Sequence, residues 1–170
     1  MRIVKLLVIS VVFLFLLVTL ISVFIPSHVR VSKAINVDAG LPEVYGMIAH
    51  TGNWKEWYPP MQDSTIKFSV EADSNTVMLN DTRVMITGRE KNAITGEMIS
   101  AGGTRVKTGW NILYVAQQDS VTVQWFMDFK MKWYPWEKFS SLFYESMYGP
   151  QMEYGLRNLK AEAEKSPAGQ

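Results

Sequence analysis

The sequence predicts an α+β fold: a curved antiparallel sheet of six or seven strands wrapped around one long C-terminal helix, preceded by a single N-terminal transmembrane helix. Three observations carry this. An uncharged apolar run of twenty residues, Leu6–Ile25, lies near the N-terminus. From Ser64 to Met131 the hydrophobic period is two, with turn residues at short intervals. After Pro135 the period changes to three and four. Short turns make the strands largely antiparallel, and a sheet and a helix with one apolar face each must cover one another.

The apolar run, Leu6–Ile25, is mostly Leu, Val, Ile and Phe. As a helix it spans roughly 30 Å, the thickness of a bilayer's hydrocarbon. It exceeds the apolar region of about 7–15 residues in a signal peptide. Its exit, "SVFIPSHVR", has no small-residue cleavage pattern, and the chain has no cysteine to acylate. Residues 1–27 are therefore read as an uncleaved anchor, with the membrane as a partner through Leu6–Ile25, and 28–165 as one domain. The tail 166–170 is read as disordered. Arg2 and Lys5 before the run, against Arg30 and Lys33 after it, lean slightly toward an extracytoplasmic domain.

"VRVSKAINV" (Val29–Val37) alternates as a half-buried strand. Pro42 suits a helix start, Val44, Met47 and Ile48 share a face, and Thr51-Gly52 reads as the closing cap. Next comes "NWKEWYPP", with Trp54 and Trp57 three apart on one turn that Pro59-Pro60 should stop. The strands that follow set Ile66, Phe68 and Val70 on one side, then Thr76–Leu79, then Val84 and Ile86. Turns are expected at Asp73-Ser74-Asn75, near Thr95-Gly96, at Gly102-Gly103 and at Asp119-Ser120. "GWNILYVAQ" places Trp110, Ile112 and Tyr114 together, and "VTVQWFMDFKM" places Trp125, Met127 and Phe129 together. Asp128 falls on the opposite, polar face. Phe139, Leu142, Phe143, Met147, Met152, Leu156, Leu159 and Ala163 form one helical apolar face, bent at Gly149-Pro150.

Composition excludes one function class. Of 17 basic residues Arg2 and Lys5 precede the domain, which leaves it nearly neutral against 16 acidic ones, with no basic stripe for nucleic acid. The domain is instead rich in aromatic residues and methionine, a mixture that suits an irregular core or an adaptable cavity. A helix about 10–12 Å wide cannot fill the hollow of six or seven strands spaced about 4.8 Å apart. The remaining space is either plugged by large side chains or open.

Chemistry has little support in the residues. The two histidines, His28 and His50, stand at the anchor exit and at a helix end, and neither has ligand spacing for a metal. No catalytic group, metal or cofactor is assigned.

The element order, with Trp54-x-x-Trp57 early and "GPQMEYGLRNLKAEAE" late, resembles the START-like, polyketide-cyclase/dehydrase-type superfamily (SRPBCC), above all its membrane-anchored bacterial members. The resemblance covers residues 26–165. The segment "SNTVMLNDTRVMITGRE" departs from it, lacking the glycine-rich hairpin and tryptophan of close relatives. The resemblance implies the helix-grip fold, with a deep apolar pocket between the sheet and the last helix, and it implies that Trp54 fixes the short helices to the sheet. The expected pocket lining is then Trp57, Tyr58, Trp110, Tyr114, Trp125, Met127 and Phe129, faced by Met147, Tyr148 and Met152. The expected function is binding of a hydrophobic small molecule or lipid, without chemistry. Two alternatives stay open: a cyclase or dehydratase acting in the same pocket, and a filled core acting through a protein partner. "KWYPWEKF" adds Trp133, Tyr134 and Trp136, either a loop packed on the last helix or an interfacial anchor.

Overall fold

A computed structural model describes residues 2–72, 75–114 and 120–165. The expected turn residues Asp73, Ser74 and Asp119, the strand continuation 115–117 and the tail 166–170 lie outside the described residues.

Helix α1 (Arg2–Val23) is apolar and exposed nearly all round. It is long and apolar enough to cross a membrane. The domain then runs β1 (His28–Val37), α2 (Leu41–Ala49), a 3₁₀ turn (Thr51–Glu56), α3 (Pro59–Gln62), β2 (Phe68–Val70), β3 (Thr76–Leu79), β4 (Thr82–Glu90), β5 (Ala93–Ile99), β6 (Arg105–Tyr114), β7 (Val121–Lys130), α4 (Pro135–Ser141) and α5 (Tyr144–Ala163). Among the described residues seven strands form one antiparallel sheet in the order β1-β7-β6-β5-β4-β3-β2. The first strand therefore pairs with the last. Helix α5 crosses the concave face over β1 and β7, burying Met152, Leu156, Leu159 and Ala163. This is the helix-grip fold.

Several local expectations are corrected. The β4–β5 turn falls at Lys91-Asn92, and Thr95-Gly96 lie inside β5. A Cβ at Gly96 would stand 2.8 Å from the Met85 carbonyl oxygen on β4, so this glycine marks a close backbone approach rather than a turn. Strand β6 begins at Arg105, ahead of the expected start at Gly109. Phe68 and Val70 are exposed, because β2 is a three-residue edge strand beyond the cover of α5. The C-terminal helix divides at Leu142-Phe143, and α5 runs unbroken through Gly149-Pro150. Pro150 sits on the exposed side of α5, where water can serve the carbonyl its ring leaves unpaired. Leu142, Phe143 and Met147, expected on the inner face, point to solvent. Pro59-Pro60 starts α3 instead of only stopping the turn before it, and Thr51-Gly52 opens the 3₁₀ turn instead of closing α2.

Strand β4 carries a bulge between Ile86 and Gly88. An extra residue reverses the alternation beyond it. Arg89 is thereby brought opposite buried Ile94, on the concave side shared with Val84 and Ile86.

Asp128 lies on the outer face as expected, yet it is not simply solvated. Arg30 grips it with two hydrogen bonds, Nε to Oδ1 at 2.6 Å and Nη2 to Oδ2 at 2.7 Å. The same guanidinium stands 4.6 Å over the Phe126 ring. Hydrogen bonding from Arg30 holds the Asp128 carboxyl below its ordinary range. A depressed native pKa stabilises the fold above the ordinary carboxylate pKa of about 3.9, and that stability is lost as the pH falls through the lowered value. Asp128→Asn should therefore be less stable than the parent at pH 7. The gap should close below about pH 4 in denaturant unfolding of the detergent-solubilised chain. A gap independent of pH would refute the ion-pair assignment.

Candidate ligand-binding site

The interior is organised from the C-terminus of α2. A helix end leaves its last carbonyls without intrahelical partners. Here four consecutive carbonyls each receive a side-chain donor. Asn53 Nδ2 donates to Gly46 O at 3.2 Å, Trp57 Nε1 to Met47 O at 3.1 Å, Trp54 Nε1 to Ile48 O at 2.8 Å, and Arg89 Nη2 to Ala49 O at 2.8 Å. Three of these donors come from the single 3₁₀ turn and its cap residue Trp57, and the fourth comes from the strand that the bulge re-aims. Asn53-Trp54-x-x-Trp57 is thus a side-chain cap for α2.

The capping indoles are fully buried and meet Tyr58, Trp110 and Trp125 in one cluster, with paired ring centroids between 4.9 and 6.1 Å apart. Most of the pairs are edge-to-face, the geometry that ring quadrupoles prefer over a face-to-face sandwich. Trp125 Nε1 donates to Thr108 Oγ1 at 2.9 Å, and the Thr108 hydroxyl in turn donates to Phe126 O at 3.1 Å. Trp110 Nε1 is buried with no hydrogen-bond partner among the described residues. Burial alone pushes the Tyr58 phenol pKa up, so this hydroxyl stays protonated. Helix α5 closes over the cluster at Gly155, where a Cβ would stand 2.8 Å from Pro59 Cδ and 3.0 Å from Trp125 Cζ3. This half of the hollow is filled.

The other half is looser. Phe129 packs against Tyr144 and Tyr148, with centroids at 4.6 and 4.7 Å. Beyond them a cavity of about 460 Å³ opens between the β5–β6 hairpin, the end of β7 and the start of α5. Val106, Phe129, Met131 and Tyr144 form its apolar floor, and Arg105, Lys130, Lys132 and Glu137 stand among its polar walls. A second cavity, of about 410 Å³, lies on the outer face among Arg30, Thr95, Lys107, Phe126 and Asp128.

The expected lining residues divide accordingly. Trp57, Tyr58, Trp110 and Trp125 belong to the packed cluster, with Met127 and Met152 also buried in the core. Phe129 and half-buried Tyr148 stand between cluster and cavity. Tyr114 is a correction: at the last residue of β6 it is 55 % exposed. Met147 is another, since it lies on the outward side of α5. The expected division of labour, Trp54 holding the fold and Trp57 facing the hollow, gives way to a shared capping role. Sequence reasoning missed Val106, Met131, Tyr144 and the four polar wall residues. The glycine pair Gly102-Gly103, at the cavity edge, was their only local signal.

General-acid chemistry asks for a carboxyl with a raised pKa. Asp63, Asp128, Glu153 and Glu164 are shifted the other way. Thr65 hydrogen bonds lower the first, and Arg30, Lys33 and Lys160 respectively lower the others. His28 and His50 are both exposed. No group of three metal-ligating side chains occurs among the described residues.

Fold and site together define a helix-grip domain whose aromatic interior is packed at one end and open at the other. Residues 28–164 match the family described as polyketide cyclase / dehydrase and lipid transport, and the chain belongs to that family. No curated protein matches the sequence. Solved structures share the fold. A protein from Nitrosospira multiformis is 19 % identical, with 79 % of this chain and 96 % of that one covered at a TM-score of 0.60. A START superfamily protein from Mycobacterium smegmatis is 17 % identical, covering 80 % and 97 % at 0.56. The Zhui aromatase/cyclase from a Streptomyces strain is 15 % identical, covering 81 % and 94 % at 0.57.

Two tryptophans of similar burial should respond differently to substitution by phenylalanine. Trp57→Phe leaves the Met47 carbonyl without its donor, whereas Trp110→Phe deletes a donor that has no partner. Trp57→Phe should be the less stable variant by about 1 kcal/mol in denaturant unfolding. Equal losses would refute the capping role.

Proposed function

We propose that the protein is a membrane-anchored binding domain for a hydrophobic small molecule or lipid. The observation that carries this is the cavity beside Phe129 and Tyr144, which joins an apolar floor on the concave face to a rim bearing Arg105, Lys130 and Lys132. Pockets of this kind, mostly apolar with a few polar groups, suit ligands with one polar end. An apolar body would lie against Val106, Phe129 and Tyr144, displacing water from them. A polar or anionic end would remain at the basic rim, and the family's description, which includes lipid transport, supports that reading.

The cavity opens beside the exit of α1. Met131 N donates to Ser27 O at 2.9 Å, and Lys138 Nζ donates to Ile25 O at 3.0 Å. With α1 as the anchor, a ligand leaving the bilayer has a short path to the cavity. Binding then requires no chemistry of the interior residues.

Native mass spectrometry of the full chain released from detergent should show a discrete retained apolar mass, identified by organic extraction. Thr104, an exposed cavity residue on the β5–β6 hairpin, allows the site to be blocked without touching the core. Thr104→Trp should lose that mass while unfolding like the parent. Retention of the same mass by both chains would place the ligand elsewhere, and an empty parent chain would refute the reading.

A further inference from the structure

We propose that the α4 segment is a second membrane contact, an aromatic platform that lies in the interfacial zone of a phospholipid bilayer beside α1. This rests on the reading of α1 as a membrane span. Five large apolar side chains in a short stretch are turned outward: Trp133, Trp136, Leu142, Phe143 and Met147 are 59 to 68 % exposed. Helix α4 buries Pro135, Lys138 and Ser141, and so presents Trp136 on its opposite side. Phe143 and Met147 follow Trp136 at helical spacings of seven and eleven, which continue one face across the break before α5. Tyr134 lies between the two exposed indoles, 4.9 Å from each and nearly parallel to Trp136, so the rings form one continuous strip.

Position selects the occupant. Helix α4 packs against α1. Lys138, buried despite its charge, spends its ammonium on the Ile25 carbonyl just beyond the end of α1. The strip therefore stands at the level where a spanning α1 would leave the hydrocarbon. Tryptophan and tyrosine are enriched at that depth because an apolar ring and a polar edge are both satisfied there. The lysines and glutamates of the segment nearly balance, so apolar insertion rather than charge would hold the contact. The ligand cavity shares Lys132, Glu137 and Tyr144 with this segment, and insertion would seat its mouth at the bilayer surface.

The six tryptophans give a direct test. Trp54, Trp57, Trp110 and Trp125 are buried in the core, and α1 contains none. Only Trp133 and Trp136 can then meet a quencher in the membrane. The full chain would be reconstituted in phosphatidylcholine vesicles containing lipids brominated high on the acyl chain. Emission should fall by about a third, two tryptophans of six, and the fall should disappear in Trp133→Phe/Trp136→Phe. High salt should leave it unchanged, because apolar insertion is not screened. Flotation of the vesicles after an alkaline wash reports separately on α1. Firm flotation without lipid quenching overturns the platform and leaves the anchor standing, and failed flotation overturns both. Quenching by aqueous iodide instead of by brominated lipid would mean that the strip faces water. Resistance to both quenchers in a dimeric chain would mean that a second copy covers it. Either result overturns the proposal.

Discussion

The C-terminus of α2 is the constraint on which the interior depends. Bare carbonyls at this partly buried helix end would be costly, since a buried polar group left unsatisfied costs about 1–3 kcal/mol. The chain satisfies them with side chains drawn from two directions: the 3₁₀ turn supplies Asn53, Trp54 and Trp57, and the sheet supplies Arg89. Using indoles as donors brings large rings with them. Those rings then have to be packed, and Tyr58, Trp110 and Trp125 complete the cluster. A hydrogen-bonding requirement at one helix end thereby decides which half of the hollow is solid.

The same packing decides where space remains. The cluster and the Pro59–Gly155–Trp125 contact occupy the end of the grip next to α2 and α3. Past Phe129 the helix α5 begins with tyrosines instead of small residues, and the sheet ends in a glycine hairpin rather than in bulky side chains. The open end is also the basic end and the end next to α1.

Much of this was legible in the chain because it is periodic. The apolar run, the alternation of "VTVQWFMDFKM" and the spacing of Met152, Leu156 and Leu159 each translate into one exposed or buried face. What periodicity cannot supply is the extent of a neighbour. Tyr114 keeps the phase of Trp110 yet is exposed at the end of its strand, and Phe68 is exposed on a three-residue edge strand. Met147 and Phe143 carry core chemistry and face outward. Glycine is ambiguous for a different reason: Gly96 serves a close strand contact, Gly103 serves a turn with φ 76°, and the letter is the same. The α2 cap was also out of reach, since it joins Arg89 to Ala49 across forty residues through a bulge that shifts the phase.

The pairing of β1 with β7 bears on how the domain is made. Residues in register along that pair, such as Arg30 and Asp128, lie 98 positions apart in sequence. Strands β2 to β7 pair mostly with immediate neighbours and can zip as successive hairpins during synthesis, whereas β1 must wait until Lys130 has left the ribosome. In the interval β1 is an unpaired edge with Val29, Val31 and Ile35 uncovered, the kind of strand that templates aggregation. Were α1 to hold the nascent chain in a bilayer, as proposed above, that waiting strand would be kept apart from soluble copies, and tethering would protect assembly before it served any mature role.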